Sequence, residues 1–366
     1  MKIPFVDLKS QYNNIKLEID NAISKVISET AFIGGRYVNE FETNFANLYG
    51  SENCISVANG TDSLYIMMKM LGIGVGDEVI TVANSWISTS ETISQTGAKP
   101  VFVDIDQKYY TIDESQIESK ITSKTKCIIP VHLYGQACDM EKIMSIANKH
   151  GIPVIEDCAQ SHFSEFKNQR VGTFGLGASF SFYPGKNLGA YGDAGCIITN
   201  DNQFAEKCKM YARHGALIKH QHKIEGINSR LDGLQAAILN TKLPYILRWT
   251  DQRIENAKYY NEKLKRNVKI VTPEIRKDSK HTFHLYVIRL KNRDALIKHL
   301  TENGVETAIH YPTVLPNLEA YKYLNYANNS FPVSSQYQNE ILSLPMYPEL
   351  QHNQIDYICK LIDEFI

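Results

Sequence analysis

The sequence predicts an α/β protein built on a mostly parallel β-sheet that is flanked by helices. Short runs rich in β-branched and aromatic residues alternate with helical patterns through the first two-thirds of the chain. Several of these runs are apolar at consecutive positions, as expected for strands that are covered on both faces. Repetition of strand, helix and strand places parallel strands side by side, with helices on either side of the sheet.

Seven segments are predicted to form the strands of this sheet. They are CISVAN (54–59), DEVITVAN (77–84), KPVFVDI (99–105), CIIPVHL (127–133), PVIEDC (153–158), GASFSFY (177–183) and GCIITN (195–200). Between the first two lies a helical pattern whose apolar residues recur three or four positions apart, namely Leu64, Met67, Met68 and Leu71. We interpret this methionine-rich stripe as the buried face of a helix.

A change of pattern near residue 240 predicts a domain boundary, since 366 residues exceed what one compact core usually holds. Residues 1–240 are predicted to form a large α/β domain. Residues 241–366 begin with a long charged amphipathic helix over 245–267 and continue as a smaller α+β unit. In that unit HTFHLYVIRL and VETAIHYP are predicted strands, separated by a helix that ends at a glycine and followed by a last helix through YICKLIDEFI.

The composition excludes several classes of function. There are 39 Lys and Arg residues against 40 Asp and Glu, with no basic block, so a nucleic-acid binder is not expected. No apolar run reaches the about 20 residues of a membrane span, and MKIPFVDLKSQY lacks a signal-peptide core. The seven cysteines contain no CxxC pair. We therefore expect a cytoplasmic protein with reduced, packed thiols.

One lysine, Lys186, lies in the glycine-rich run SFSFYPGKNLGAYGDAG, directly after a predicted strand. A nucleotide-binding P-loop requires G-x-x-x-x-G-K-[ST], because the hydroxyl after the lysine binds magnesium. Here Asn187 follows the lysine, and the glycine before Gly185 is Gly177, eight positions back. The run also follows several strands rather than the first. The sequence therefore does not support a P-loop.

A cofactor site explains Lys186 better, because Asp157 in EDCAQSH ends another predicted strand. Ligands of open α/β sheets bind outside the carboxyl ends of the strands, so the two side chains are expected to converge there. Pyridoxal phosphate requires such a pair, a lysine amine for the Schiff base and a carboxylate that keeps the pyridine nitrogen protonated. Alternatively, Asp157 caps the next helix and Lys186 is a solvated turn residue.

The phosphate of that cofactor needs its own site, and VANGTDS (57–63) is suited to it. A predicted strand leads through an Asn-Gly turn to Thr61, which opens the next helix. The N-terminus of a helix binds anions through its free backbone N–H groups and the helix dipole. An ordinary helix cap has a similar sequence, so this motif supports the cofactor hypothesis only together with the others.

These segments resemble, in order and spacing, those of the DegT/DnrJ/EryC1/StrS nucleotide-sugar aminotransferases. The matching motifs are NGTDSL, EDCAQSH, SFSFYPGKNLGAYGDAG and INSRLDGLQAAIL, with IPFVDLKSQY near the start and HYP and LSLPMYPEL towards the end. The resemblance implies the fold-type-I pyridoxal phosphate aminotransferase architecture, a mostly parallel, mixed seven-stranded sheet with a smaller C-terminal α+β domain. It also implies a homodimer in which both subunits contribute to each active site.

The resemblance assigns roles around the cofactor ring. Lys186 is then the Schiff-base lysine and the general acid–base for the proton shift, and Asp157 pairs with the pyridinium nitrogen. Gln160 lies at the hydroxyl edge of the ring, and Trp86 stacks on its face. A lone tryptophan is otherwise more often a core residue.

The resemblance also assigns the phosphate site. Gly60, Thr61 and Ser181 would hold the phosphate together with Asn228 of the neighbouring subunit. The loop 213–230 is expected to cross the dimer. It contains His220 and His222, but no further ligands stand at metal spacing, so no metal site is expected.

The sugar is expected to be recognised on the other side of the pocket. FYPGKNLGAYGDAG resembles the branch of the family that aminates C3, either in 3-keto-6-deoxyhexoses on dTDP or in 3-keto uronates on UDP. The resemblance places Tyr183 on the substrate side and, near the sugar nucleotide, three further residues: Arg213, His310 and Tyr311. Two departures from the family pattern, Phe163 in SHFS and the segment VLPNL after HYPT, bear on sugar recognition.

The resulting hypothesis is transfer of an amino group from glutamate to a dTDP-linked 3-keto-6-deoxyhexose, on a pathway to surface polysaccharide such as lipopolysaccharide. A UDP-linked 3-keto uronate or a 4-keto sugar is the alternative substrate. A sugar dehydratase is a different possibility, but such relatives replace the lysine with histidine, and some carry an iron–sulfur cluster for which this chain has no cysteine spacing. A non-catalytic regulator would be marked by loss of Asp157 or Lys186, and both are present.

Overall fold

The computed structural model describes residues 1–327 and 329–365, in which helices and strands alternate along much of the chain. The strands are β1 (Asn53–Val57), β2 (Glu78–Val82), β3 (Lys99–Val103), β4 (Thr125–Ile129), β5 (Ile155–Asp157), β6 (Glu165–Phe166), β7 (Gln169–Arg170), β8 (Gly177–Ser181), β9 (Gly195–Thr199), β10 (Ser279–Lys280), β11 (Tyr286–Arg289) and β12 (Ile341–Leu344). The helices are α1 (Leu8–Asn14), α2 (Lys16–Ser28), α3 (Arg36–Tyr49), α4 (Gly60–Met70), α5 (Ser88–Thr96), α6 (Met140–His150), α7 (Asn202–Ala212), α8 (Gly233–Lys242), α9 (Ile246–Leu264), α10 (Arg293–Glu302), α11 (Pro332–Tyr337) and α12 (His352–Phe365).

A mixed sheet of seven strands lies at the centre of the molecule, as predicted. Its halves, β1-β9-β8-β5 and β3-β2-β4, are joined by parallel bridges between Ile128 and Val154 and between Val131 and Asp157. Strand β9 is antiparallel to both of its neighbours, and the other six strands all run in one direction. Their carboxyl ends therefore meet at one edge of the sheet, where ligands bind in open α/β folds.

Helices cover both faces of this sheet, which explains the apolar runs of the strands. On one face α3 packs its phenylalanines against β8, and on the other α4 and α7 pack against β1, β8 and β9. Leu64, Met67 and Met68 are buried and Leu71 is partly buried, so the methionine-rich stripe faces the core as predicted. None of the described helices combines the length and apolar composition that a membrane crossing needs.

A second core is formed mainly by the C-terminal part of the chain. It is built from α9, α10, α12 and the antiparallel pair β11–β12, with Ile3 from the N-terminus added. The boundary that we place between residues 240 and 241 falls within α8, and the long helix predicted over 245–267 is α9. We retain the two-domain division as a proposal.

The strands of this C-terminal unit differ from the prediction. VETAIHYP forms only two isolated bridges, from Val305 to Ile3 and from Ala308 to Ser343. The regular partner of β11 is instead β12, which overlaps the start of LSLPMYPEL. The prediction was wrong because the backbone after Ala308 leaves the sheet and leads His310 and Tyr311 to the cavity described below.

Phe163, one of the two departures from the family pattern, packs within the core. Its ring centroid lies 5.0 Å from that of Tyr49 and 6.2 Å from that of Phe45, and the Arg170 guanidinium lies 5.3 Å from its ring. It does not line the central cavity. Its φ of 61° is in the left-handed region, which glycine adopts more readily than phenylalanine.

We expect Phe163→Ala to lower the free energy of unfolding by about 3–5 kcal/mol, because a fully buried aromatic ring is removed. Phe163→Gly should be about 1 kcal/mol more stable than Phe163→Ala, since glycine adopts a positive φ without steric cost. Urea unfolding of the three proteins measures both differences. Equal stability of the two variants would contradict the backbone argument.

Candidate active site

A cavity of about 430 Å³ lies at the carboxyl ends of the parallel strands. The loops after β1, β2, β5 and β8 contribute to its walls, because these strands end side by side. Ten of the twelve residues assigned from the sequence to cofactor or substrate line it, namely Gly60, Thr61, Trp86, Asp157, Gln160, Ser181, Tyr183, Lys186, His310 and Tyr311.

Lys186 is carried by a tight turn that follows β8. Its N–H donates to the Tyr183 carbonyl at 2.8 Å, and a Cβ on Gly189 would come within 2.2 Å of the Pro184 oxygen, so this position requires glycine. Within the described residues, Nζ of Lys186 forms no hydrogen bond or ion pair. Burial lowers the pKa of Lys186 to about 8, and the charge of Asp157 partly opposes this shift. A lysine with this pKa is partly neutral near pH 8 and can act as a nucleophile.

This pKa can be measured by labelling with acetic anhydride, because only the neutral amine reacts. In protein freed of cofactor we expect labelling of Lys186 to have its midpoint near pH 8 and to fall about tenfold per pH unit below it, whereas the reference pKa of a lysine in a peptide is about 10.4. Asp157→Asn should lower the midpoint further, since it removes a charge that favours the ammonium form. Mass spectrometry of the labelled peptides measures this, and a midpoint above 10 would contradict the burial argument.

Asp157 ends β5 with its carboxylate buried at the cavity wall. Its Oδ2 accepts a hydrogen bond from Thr89 Oγ1 at 2.8 Å, and its Oδ1 accepts one from the Ala159 N–H at 3.1 Å. Burial raises the pKa of Asp157, whereas these hydrogen bonds and the charge of Lys186 act against the shift. Thr89 was missed from the sequence, although it stands three residues after Trp86 in a run of hydroxyl residues at the start of a helix.

An anion cradle lies at the N-terminus of α4. Asn59 caps the helix, the Thr61 hydroxyl is 2.8 Å from that of Ser88, and the N–H groups of Gly60 and Thr61 donate to no group within the described chain. A Cβ on Gly60 would lie 2.8 Å from Cβ of Ser181, so glycine is what allows the helix to approach the end of β8. Free N–H groups, a helix dipole and two hydroxyls are suited to a phosphate.

The opposite wall combines an amide with aromatic rings. Oε1 of Gln160 accepts a hydrogen bond from the Tyr134 N–H at 2.8 Å, and Nε2 donates to the Tyr311 hydroxyl at 2.8 Å. The ring of Tyr311 lies 5.8 Å from that of Trp86. Trp86 and Tyr183 are 58% and 60% exposed, respectively, which is unusual for large aromatic side chains and leaves them free for ligand contacts.

His310 stands at the same wall as a neutral hydrogen-bonding group. Its Nδ1 lies 2.8 Å from Ser343 Oγ, and its carbonyl accepts a hydrogen bond from the Tyr134 hydroxyl. Burial, and then the charge of Lys186, lower the pKa of His310 to about 4. The imidazole is therefore uncharged at neutral pH.

The model of the DegT/DnrJ/EryC1/StrS aminotransferase family matches residues 13–363 of this chain. The chain belongs to this family. It is therefore an aminotransferase, and its cofactor is pyridoxal phosphate. The residues present fit that cofactor, because the cavity combines a lysine amine without a partner among the described residues, a buried carboxylate and the anion cradle at the N-terminus of α4.

Known proteins resemble this aminotransferase over almost its whole length. A pleiotropic regulatory protein from Geobacillus stearothermophilus is 44% identical to it, covering 100% of this chain and 99% of the relative. A dTDP-3-amino-3,6-dideoxy-alpha-D-galactopyranose transaminase from Aneurinibacillus thermoaerophilus is 43% identical, with 99% of each chain covered. A UDP-2-acetamido-2-deoxy-3-oxo-D-glucuronate aminotransferase from Pseudomonas aeruginosa is also 43% identical, covering 98% of this chain and 99% of the relative.

A crystal structure has the same fold as this aminotransferase. DesV of S. venezuelae, in complex with a ketimine intermediate, superimposes with a TM-score of 0.97 at 35% identity, covering 99% of this chain and 98% of DesV. The predicted fold-type-I architecture is thereby confirmed.

Arg213 and Asn228 of the aminotransferase do not line the central cavity of their own chain. They face each other in an antiparallel bridge, and Arg213 borders a second cavity of about 460 Å³. An Arg213 guanidinium nitrogen lies 3.7 Å from Oε1 of the buried Glu42. Large apolar side chains are exposed in and near this region: Phe32, Ile33, Leu217, Ile218 and Ile224.

Proposed function

We propose that this aminotransferase transfers the amino group of glutamate to C3 of a dTDP-linked 3-keto-6-deoxyhexose, giving a dTDP-3-amino-3,6-dideoxyhexose. The observation that carries the chemistry is the convergence of Lys186 and Asp157, from the ends of two strands, on one cavity beside a phosphate cradle. The relative from Aneurinibacillus thermoaerophilus, whose name specifies such a sugar, supports the choice of substrate.

The cofactor would be held by residues of four separate segments of the chain. The N–H groups and hydroxyls of Gly60, Thr61 and Ser181 would bind its phosphate, and Asp157 would bind its ring nitrogen. Gln160 would lie at the hydroxyl edge of the ring, and Trp86 would stack on the ring face. When bound, pyridoxal phosphate supplies an aldehyde that reacts with amines and a protonated ring that accepts electrons.

Lys186 performs the proton transfers. As a neutral amine, its Nζ can remove the proton from the amino-bearing carbon of glutamate. In the second half of the reaction the ammonium form delivers a proton to C3 of the sugar. A pKa near 8 suits both directions at neutral pH, because general acid–base catalysis is most efficient when the pKa lies near the working pH.

The carboxylate of Asp157 would remain charged and accept the proton of the ring nitrogen in a hydrogen bond. Thr89 and the Ala159 N–H hold it in one orientation, so little reorganisation is needed during the reaction. The sugar would contact Tyr183, His310 and Tyr311 at the mouth of the cavity, with Arg213 contributed by the partner subunit.

A panel of nucleotide sugars tests this function. The purified holoenzyme is first mixed with glutamate, and the visible absorption of the bound cofactor should be lost. The protein is then supplied with dTDP- and UDP-linked 3-keto and 4-keto sugars, and the amino sugars are identified by NMR. Amination of the dTDP-linked 3-keto-6-deoxyhexose supports the proposal. Turnover only with a UDP-linked uronate or a 4-keto sugar would replace the proposed substrate, and no loss of absorption would contradict glutamate as the donor.

We propose further that the active enzyme is a homodimer with shared active sites. The exposed apolar residues beside Arg213 and Asn228 support this, because such clusters mark interfaces. Each chain would then place Asn228 and the loop 213–230 at the cavity of its partner.

Subunit mixing tests the shared site. Lys186→Ala and Asn228→Asp should each be inactive, the second because it brings a negative charge to the phosphate. Mixing equal amounts under exchange conditions should restore about a quarter of the wild-type activity, since each hybrid dimer has one intact site. Absence of recovery despite exchange, shown by native mass spectrometry of the hybrids, would contradict a shared site.

We also propose that the enzyme acts in the cytoplasm and that its amino sugar enters a surface polysaccharide. All seven cysteines are buried and unpaired, which fits a reducing compartment. Fractionation of the producing cell, with immunodetection of the protein, tests the location. Recovery in a membrane or secreted fraction would contradict it.

A further inference from the structure

A buried histidine–glutamate pair lies directly behind the wall that carries Asp157. Both His132 and Glu156 are 0% exposed, and His132 Nε2 lies 3.0 Å from Glu156 Oε2. Because side chains alternate along a strand, the carboxylate of Glu156 points to the face opposite that of Asp157. The pair therefore does not touch the cavity, and any effect on the reaction must act through Asp157 or its neighbours.

The carboxylate of Glu156 joins a further part of the chain, residues 172–175, to β5. Its Oε2 accepts a hydrogen bond from the Gly172 N–H at 2.6 Å, and its Oε1 accepts bonds from the N–H groups of Phe174 and Gly175, both at 2.8 Å. With His132 this makes four donors to one carboxylate. A buried charge with this many donors is well satisfied, and removing it leaves several groups without a partner.

The hydrogen bonds of His132 determine its protonation. Its Nδ1 accepts a hydrogen bond from the Cys138 N–H at 3.0 Å, so this nitrogen carries no proton. The ring proton is therefore on Nε2 and is donated to Glu156. A neutral imidazole thus links the loop 132–138 to β5.

The same atoms do not form a convincing metal site. Ligand atoms of His132, Glu156 and Cys158 lie within 4.8 Å of one another. However, both oxygens of Glu156 already accept hydrogen bonds, and burial raises the pKa of the Cys158 thiol to about 12, so the thiolate that binds metals is disfavoured. The hydrogen bonds of His132 and Glu156 instead indicate that the pair links the loop 132–138 and residues 172–175 to β5.

Such a link is needed because the backbone holds β5 weakly on this side. Strand β5 has three residues, and it meets the β4 segment only through isolated bridges. Two backbone hydrogen bonds fix Asp157 there, from its N–H to the Pro130 carbonyl at 2.9 Å and from the His132 N–H to its carbonyl at 3.1 Å. Tyr134 follows His132 by two residues, and its N–H donates a hydrogen bond to Oε1 of Gln160.

We infer that the His132–Glu156 pair is a positioning unit, which holds the loop 132–138 against β5 so that Asp157 and Gln160 face the cofactor ring together. The inference rests on the proposed placement of the ring between these two side chains. A displacement of about 1 Å at a catalytic group costs up to about 100-fold in rate. Loss of the pair should therefore weaken cofactor binding and turnover without changing any residue of the cavity.

Three variants test the contacts of Nε2 and Nδ1 of His132 separately. His132→Gln places its amide nitrogen near the position of Nε2 and can still donate to Glu156. His132→Asn places its amide oxygen near the position of Nδ1, keeps the acceptor for Cys138 and loses the contact with Glu156. Glu156→Gln removes the negative charge, and its NH₂ group faces backbone N–H groups that donate to the native carboxylate.

The readouts are the affinity for pyridoxal phosphate and the pH dependence of the visible absorption of the holoenzyme. We expect His132→Asn and Glu156→Gln to lose about tenfold or more in cofactor affinity, the effect typical of residues that orient a ligand from behind. Both should also shift the absorption titration and lower kcat with little change in KM for the sugar. His132→Gln should stay close to wild type.

Asp104→Asn is the matched control. Asp104 is also buried and accepts backbone hydrogen bonds, from the N–H groups of Val333 at 2.9 Å and Ser334 at 3.0 Å, but it does not line the cavity. This variant should lose thermal stability and keep the cofactor affinity and spectrum of wild type.

Asp157→Asn separates failure of this inference from failure of the proposed function. If it leaves the absorption titration unchanged, the proposed role of Asp157 is wrong. If it shifts the titration while folded His132→Asn and Glu156→Gln behave like wild type, the positioning role is overturned. If Glu156→Gln does not fold, the comparison of His132→Asn with His132→Gln decides, and equal behaviour of these two overturns the inference.

Discussion

Lys186→Ala is expected to abolish transamination, with a loss in kcat of at least about 10⁴-fold, because the covalent attachment and the proton transfer are removed together. Among the described residues that line the cavity, Lys186 is the only lysine. The nearby Lys242 is fully buried, and its Nζ donates to the Gly189 carbonyl at 2.7 Å. The variant should still fold, because Nζ of Lys186 supports no hydrogen bond within the described residues.

The experiment compares Lys186→Ala with Lys186→Arg, which keeps a positive charge and does not form the covalent link. Lys265→Ala, at the exposed end of α9, serves as the control and should retain wild-type activity. Turnover is followed by the loss of visible absorption with glutamate and by formation of the amino sugar. Activity of Lys186→Ala above a hundredth of the wild-type level would contradict the assignment.

Asp157→Asn is expected to have the second-largest effect, with a loss in kcat of about 10³-fold, or about 4 kcal/mol of transition-state stabilisation. The amide has the size of the carboxylate but no charge, so it cannot keep the ring nitrogen protonated. Its NH₂ group would also face the Thr89 hydroxyl or the Ala159 N–H, both of which donate to the native carboxylate.

Single-turnover kinetics with glutamate measure this loss apart from substrate binding. Thr89→Val provides a graded comparison, because it keeps the charge of Asp157 and removes one of its two hydrogen bonds. We expect a loss of about tenfold for this variant, in line with a single hydrogen bond to a charged group. Equal rates for Asp157→Asn and wild type would show that the carboxylate does not act on the ring.

Much of the central sheet and the cofactor side of the cavity could be predicted from the sequence. All seven central strands were found, because strands buried on both faces are apolar at consecutive positions and are separated by clear turns. Asp157 and Lys186 could be brought together from the sequence because both follow parallel strands, whose carboxyl ends share one edge. Their functional roles remain proposals for the experiments above.

Features that depend on distant pairing could not be predicted. The two-residue strands β6, β7 and β10 are too short to show a periodicity. Strand β12 was not predicted, because it has four residues and prolines follow it directly. Thr89 acquires its role only because the start of α5 folds against β5, which no local pattern indicates. The contribution of Arg213 and Asn228 depends on a second chain, and one sequence does not contain that geometry.

The single reversed strand of the sheet has a consequence for how the molecule folds. Because β9 pairs antiparallel with β8, the segment that carries Lys186 is the connection between two strands that bond directly to each other. Contacts close in sequence form faster than the long crossovers between parallel strands. We therefore expect this segment to take shape early, while Asp157 and Thr89, 68 positions apart, come together only as the parallel strands assemble. The proposed covalent anchor, Lys186, is local in the chain, whereas the proposed partner of the ring nitrogen, Asp157, reaches its place late.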